Sequence, residues 1–371
     1  MNMYDYLDKY GIYSFEEKPF NEIDSIIFSF FSYVDFNGIF DEKNIISLKD
    51  VGRIHFGLYK MSDKHILAVR EANKMFHYMK DTKRYKDCLL FNYEYIVDNE
   101  KQFSVISIEY MKNKVFVSFE GTDQNFSGWK EDFILSYKFP TISQFLAIDY
   151  MNKNYTFSNK ELIVGGHSKG GNLALVAGMC SNFLVRLKIK NIINADGPGL
   201  LKKQINSKKF KRILPKYRHY IPDSSVVGIL LQNSNDIVIK SSVQNILSHD
   251  IYYWVIDDDG KFVKSELSLY SIKLRKQLDD WLDKYNDIDM KTFVDNLDYL
   301  FRTAGIVSII QLRDDIRNVI KLISDSKVLD NESKKMLNEL MIIFIKVYGD
   351  SKIEELRKSF HDKINNFNYK I

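Results

Sequence analysis

The sequence predicts an α/β fold, a mostly parallel sheet with helices on both faces and helical segments added at the N- and C-termini. Three observations predict it. Short apolar runs alternate with helix-forming stretches from about residue 115 to about residue 256. Such alternation builds parallel strands joined by helical crossovers. One junction is a sharp glycine-rich turn, Gly165-Gly166-His167-Ser168-Lys169-Gly170-Gly171, with an apolar run before it and a helix-forming run after it. Finally, the residues before 80 and beyond about 265 carry apolar side chains at helical spacing.

Taken in order, Ile23, Ile26, Ile27, Phe30 and Phe31 form one apolar helix face, and a second helical stretch runs from near Asp63 to Lys80. The period then changes. Cys88–Phe91 and Tyr93–Val97 read as strands. Phe103–Tyr110 alternates, turns at Lys112-Asn113-Lys114 and returns as Val115–Phe119, a hairpin signal. Further strands are expected at 115–120, 161–166, 190–195, 217–222, 237–241 and 251–256, followed by a turn at Asp257-Asp258-Asp259-Gly260. The expected organisation is an N-terminal helical segment over 1–80, a core over 81–265 and a C-terminal helical segment over 266–371.

Composition narrows the function class. Hydrophobic residues make up 45% and charged residues 27%, which is a globular balance. A net charge of +4 over 371 residues gives no reason to expect nucleic acid. One denser basic run, from Lys202-Lys203 through Lys208-Lys209-Phe210-Lys211-Arg212 to Lys216 and Arg218, reads first as a solvated helix face. Its second reading is a site for anionic lipid headgroups. Cys88 and Cys180 sit in apolar surroundings without metal-ligand spacing, so buried free thiols and no metal or cofactor are expected. Neither a signal peptide nor an 18-residue apolar window is apparent, and a cytoplasmic location follows as the expectation.

The chemistry concentrates at Ser168. A G-x-S-x-G between strand and helix places the serine on a strained turn with its hydroxyl exposed. The alternative is a glycine-rich turn with a capping serine. A serine hydroxyl needs a general base, and the base needs a carboxylate to orient it. In the order serine, acid, histidine, only His219, His249 and His361 follow Ser168. His219 falls inside a strand and His361 in a polar terminal helix, which leaves His249, in a loop after Ile237–Ser241. For the acid, Asp196 has a Gly/Pro context that suggests a turn-forming role, while Asp223 and Asp236 are not separated by spacing. Oxyanion donors are expected at the backbone N–H of Lys169 and at Thr122, after the strand ending Phe119-Glu120-Gly121, with the Thr122 hydroxyl as a further donor. The aromatic-rich segment Phe126–Phe139 lies where a lid would.

These residues resemble the fungal-type (class 3) lipases. The matching segments are Phe119-Glu120-Gly121-Thr122, Trp129-Lys130-Glu131-Asp132, Gly166-His167-Ser168-Lys169-Gly170-Gly171 and Asn235-Asp236-Ile237-Val238. A closer resemblance is to a bacterial branch of these α/β-hydrolases described as domain of unknown function 2974. It is carried by Asn21-Glu22-Ile23-Asp24, the elbow extended to Ala174, Asp196-Gly197-Pro198-Gly199, Ser224-Ser225-Val226-Val227-Gly228 and His249-Asp250 before Trp254. The resemblance spans about residues 20–265 and implies an α/β-hydrolase fold and Asp236 as the acid, with Asp223 as the alternative. Lys169 stands where the fungal lipases carry leucine, as a cation that steers an anionic headgroup or points to solvent.

The function so implied is a lipase- or esterase-like serine hydrolase acting on small-molecule or lipid esters through an acyl-enzyme, with contact to a membrane surface as an accompanying expectation. The alternatives are a non-catalytic binding or scaffold protein on the same fold, and acyl transfer by the same triad.

Overall fold

The computed structural model describes residues 1–40, 44–58, 67–98, 101–122, 126–303 and 329–348. It divides into two compact units, Met1–Ser268 and Leu269–Ile371.

The first unit is built on one eight-stranded sheet in strictly sequential order. Its strands are β1 (Ile46–Ser47), β2 (Leu89–Val97), β3 (Gln102–Met111), β4 (Lys114–Phe119), β5 (Glu161–His167), β6 (Ile189–Ala195), β7 (Tyr217–Pro222) and β8 (Asp236–Ile239). Pairings are antiparallel from β1 to β4 and parallel from β4 to β8. Its helices are α1 (Met3–Tyr10), α2 (Glu22–Phe31), α3 (Leu48–Leu58), α4 (Leu67–Met79), α5 (Phe126–Ile134), α6 (Ile142–Tyr155), α7 (Lys169–Cys180), α8 (Phe183–Lys188), α9 (Lys202–Ile205) and α10 (Lys208–Ile213).

Strand side chains alternate between two cores, as a period of two requires. Val115, Val117, Phe119, Leu162, Val164 and Ile192 pack with Met151 of α6, Leu173 and Val176 of α7, and Phe210 of α10. Phe116, Ile163 and Ile193 point the other way, onto Tyr6 of α1, Ile23, Ile26 and Phe30 of α2, and Phe76 of α4. Right-handed crossovers between successive parallel neighbours deliver their helices to a single face. The N-terminal helices therefore supply the second layer, without which half of the sheet would face water.

That layer is held by a buried polar knot. Asn21 caps α2 by accepting from the Ile23 and Asp24 N–H groups, and Asp24 returns the bond to the Asn21 N–H. Asp24 also accepts from Arg84 Nε at 2.8 Å and Tyr85 Oη at 2.6 Å, and neither ion of the Arg84–Asp24 pair is exposed. Removing one partner of such a pair strands a buried charge, at a cost of about 3–5 kcal/mol.

Two elements differ from expectation. The stretches 88–91 and 93–97 form one strand, because Asn92 adopts φ 51° and absorbs a bulge between Phe91 and Glu94. The expected strand at 251–256 is a 3-10 turn, Ile251–Tyr253, followed by isolated bridges. The buried Trp254 indole donates from Nε1 to Ser248 O at 2.9 Å, which folds the segment onto its own preceding turn. Of the expected helix near Asp63–Lys80, residues 63–66 lie outside the described residues.

In the second unit, α11 (Leu269–Leu282), α12 (Asp287–Thr303) and α13 (Asn331–Tyr348) pack around Leu274, Trp281, Phe293, Leu297 and Met336. No helix among the described residues is long and apolar enough to cross a membrane.

Candidate active site

Strand β5 ends at His167 and α7 begins at Lys169, with Ser168 between them at φ 56°, ψ −131°. A positive φ strains any residue with a Cβ, and the surroundings enforce it here. Ser168 N–H donates to Ala195 O at 2.9 Å, and Ser168 O accepts from Gly171 N–H at 2.9 Å. A Cβ on Gly166 would lie 2.3 Å from the Gly170 backbone, and one on Gly170 would lie 2.1 Å from Phe119 O. Only glycine permits this closeness. Lys169 through Met179 are buried, so α7 points its N-terminal N–H groups at the half-buried serine from inside the core.

Asp196 follows β6, the strand beside β5, and also turns through a positive φ, 48°. Its carboxylate is fully enclosed. It accepts from Ser225 Oγ at 2.5 Å and Gly228 N–H at 3.0 Å, and its Oδ2 meets His249 Nδ1 at 2.7 Å. A Cβ on Gly228 would lie 2.3 Å from Asp196 Oδ1, so glycine is needed for that N–H to reach the carboxylate. Burial pushes the Asp196 carboxyl up and the His249 imidazole down, since each pays to carry charge away from water. His249 Nε2 takes no hydrogen-bond partner among the described residues.

The acid expected from the sequence lies elsewhere. Asp236 Oδ1 meets His219 Nδ1 at 2.8 Å, and His219 is buried in β7 with Nε2 against Gly197 O at 3.2 Å. His249 Nδ1 is already taken by Asp196, so Asp236 is not its orienting carboxylate. The Asn-Asp-Ile-Val segment misled because it opens β8, whose register sets Asp236 opposite His219. Asp223 accepts from Ser265 Oγ at 3.2 Å and so tethers the end of β7 to the chain beyond the sheet. His361 and Asp123 lie outside the described residues.

Thr122 sits after β4, where Gly121 passes so close to the elbow that a Cβ would fall 2.6 Å from His167 O. Neither the Thr122 nor the Lys169 N–H donates to an acceptor among the described residues. The Thr122 hydroxyl is committed, donating to Asp132 Oδ2 at 2.7 Å, which removes it from the expected donors. Burial pushes Asp132 up to about 6, opposed by the nearby Lys169 ammonium and the Thr122 hydrogen bond. The Lys169 side chain does not reach solvent. It is 1% exposed and donates to Gln102 O at 2.9 Å and Gln102 Oε1 at 2.7 Å, with Glu131 at 3.6 Å. The expected lid segment forms α5 and then buries Leu135.

His167 joins these parts, and sequence reading passed over it as a mere letter of the elbow motif. Its Nε2 meets His249 O at 2.8 Å and its Nδ1 meets Tyr33 Oη at 3.1 Å. Burial, then the neighbouring His249, holds His167 down to about 3, so it is neutral with one ring N–H. A carbonyl can only accept, so that N–H is on Nε2 and Tyr33 must donate to Nδ1. A Cβ on Gly121 would lie 1.9 Å from Tyr33 Oη, so the same hydroxyl also buttresses the strand end before Thr122. Tyr33 comes from the turn after α2 and carried no signal in the sequence beyond its apolar neighbourhood.

Among solved structures, M37 lipase is similar at a TM-score of 0.36 and 13% identity, covering 57% of this chain and 70% of that one. No curated protein matches the sequence. The Mbeg1-like family model matches residues 79–299, which takes in the whole of β3–β8 together with Ser168, Asp196 and His249, and the chain belongs to the Mbeg1-like family.

Proposed function

We propose that the chain is a serine carboxyl-ester hydrolase acting on lipid-like esters, with Ser168 as nucleophile, His249 as general base and Asp196 as the orienting acid. The observation that carries this reading is the 2.7 Å contact of His249 Nδ1 with Asp196 Oδ2, at a strand end adjoining the Ser168 elbow. In this mechanism His249 Nε2 takes the Ser168 proton as Oγ attacks the ester carbonyl. The N–H groups of Lys169 and Thr122 stabilise the oxyanion. Imidazolium then protonates the leaving alcohol, and water repeats the cycle on the acyl-enzyme. Asp196 keeps His249 in the tautomer whose Nε2 is free to accept. The unpaired thiols of Cys88 and Cys180 suit action in a reducing compartment such as the cytoplasm.

A fluorophosphonate probe should label the chain once, and peptide mapping should find the adduct on Ser168. Absence of labelling, or an adduct on another residue, removes the assignment.

The donor direction assigned to Tyr33 makes it a positioning residue. Tyr33→Phe leaves His167 Nδ1 buried without its donor, a penalty of about 1–3 kcal/mol. We expect kcat on a soluble p-nitrophenyl ester to fall by about ten- to a hundred-fold, with KM unchanged, because the substrate pocket keeps its shape. A variant that only lowers the melting temperature, with kcat intact, would show that the tyrosine merely packs.

A further inference from the structure

Charge is distributed unevenly along this chain. Residues 162–222 hold twelve of its 53 Lys and Arg but one of its 49 Asp and Glu, the enclosed Asp196. That stretch carries a formal +11, and the remainder −7, against +4 overall.

Within it, α8 shows an apolar face to solvent. Phe183 is 63% exposed, Leu184 45% and Leu187 58%. Phe157, 96% exposed, belongs to the same surface. The residues flanking α8's N-terminus and at its C-terminus grip the chain just before Phe157, through Asn182 Nδ2 to Thr156 Oγ1 at 2.6 Å and Lys188 Nζ to Tyr155 O and Thr156 O at 2.7 Å. Helix α10 borders this surface and exposes Lys208, Lys209, Lys211 and Arg212. Lys216, in the turn that follows α10, donates from Nζ to Arg186 O of α8 at 3.1 Å and to Ile189 O at the start of β6 at 2.7 Å. Burial and then the like charge of Arg212 hold Arg186 below its ordinary value.

A solvated helix face accounts for the lysines but not for two phenylalanines and two leucines held together in water. A nucleic acid would use the charges and leave Leu184 and Leu187 without purpose. An anionic bilayer uses both, with cations at the headgroups and aromatic and aliphatic side chains at the acyl boundary. We infer that Phe157, Phe183, Leu184 and Leu187, with the exposed α10 cations beside them, form a docking surface for an anionic lipid bilayer. Because α8 leads directly into the first residue of β6, this surface lies at the end of the sheet opposite Ser168. Docking and chemistry at the serine are therefore separable, and the inference stands whether or not Ser168 is a nucleophile.

The test is co-sedimentation of the full chain with phosphatidylglycerol-containing vesicles and with pure phosphatidylcholine vesicles. Binding should require the anionic lipid and weaken with salt. Phe183→Ser combined with Leu187→Ser, and separately Lys209→Glu combined with Arg212→Glu, should each weaken it by about tenfold or more. Melting temperatures should match the parent chain, as these side chains are exposed, and labelling at Ser168 should be untouched. The inference is overturned if the chain stays in the supernatant, or if the variants partition like the parent. It is equally overturned if sedimentation velocity shows that the apolar variant splits a dimer, or if a nucleic acid binds the basic surface while vesicles do not.

Discussion

Ser168→Ala and His249→Ala should each lower kcat on a p-nitrophenyl ester by about a millionfold, and the double variant should be no worse than either single one. Groups that act as one unit lose their whole contribution when any essential member is removed, so the effects do not add. The residue that remains, about 10³–10⁴ over water, belongs to the oxyanion donors and binding. Both substitutions should leave the fold intact. Among the described residues Ser168 makes only backbone bonds, and Ala tolerates φ 56° no worse than Ser. The His249 side chain is 17% exposed, so its loss opens a pocket already in contact with solvent. Steady-state kinetics on the three proteins decide the matter. Multiplicative losses in the double variant would mean that the two side chains act independently, and the triad would be wrong.

The second large effect separates two aspartates. Asp196→Asn should cost about 10⁴ in kcat, because an amide can donate to His249 Nδ1 and so stabilise the tautomer with its proton on Nε2, where the lone pair is needed. Asp236→Asn weakens the His219 contact and leaves the Asp196–His249 pair in place, so it should leave kcat within a few-fold of the parent, with a stability loss of about 1 kcal/mol from the weakened hydrogen bond. The two variants should be compared by kcat and by thermal melting. If Asp236→Asn were the inactive one, the acid inferred from the resemblance would stand and the proposal for Asp196 would fall.

That contrast marks where sequence stops informing the site. The elbow could be read because it is local. Strand, strained serine and helix are contiguous, and Gly166 and Gly170 are demanded by backbone contacts within a few residues or with the adjacent strand. The acid could not be read in the same way. Asp196 and His249 are 53 residues apart and meet only because β6 lies beside β5 while the chain after β8 folds back over both. The Gly-Pro context of Asp196 did signal a turn, and the turn is real, but a turn is also what lifts a carboxylate off a strand end. Lys169 shows the reverse error. A cation next to a nucleophile invites a substrate role, yet the first turn of α7 directs it inward to Gln102 and Glu131.

The sequence by itself determined the α/β class, the helical spacing of the N-terminal segment and the serine on its turn, because each depends on periodicity or on sterics between near neighbours. Tertiary structure alone decided which aspartate meets His249, that Tyr33 and His167 brace it, and that the N-terminal helices form the second layer of the sheet. The physical reason is the same in each case: a hydrogen bond or a covered face between distant segments is set by strand order and register, and residue types at either end do not encode the distance between them.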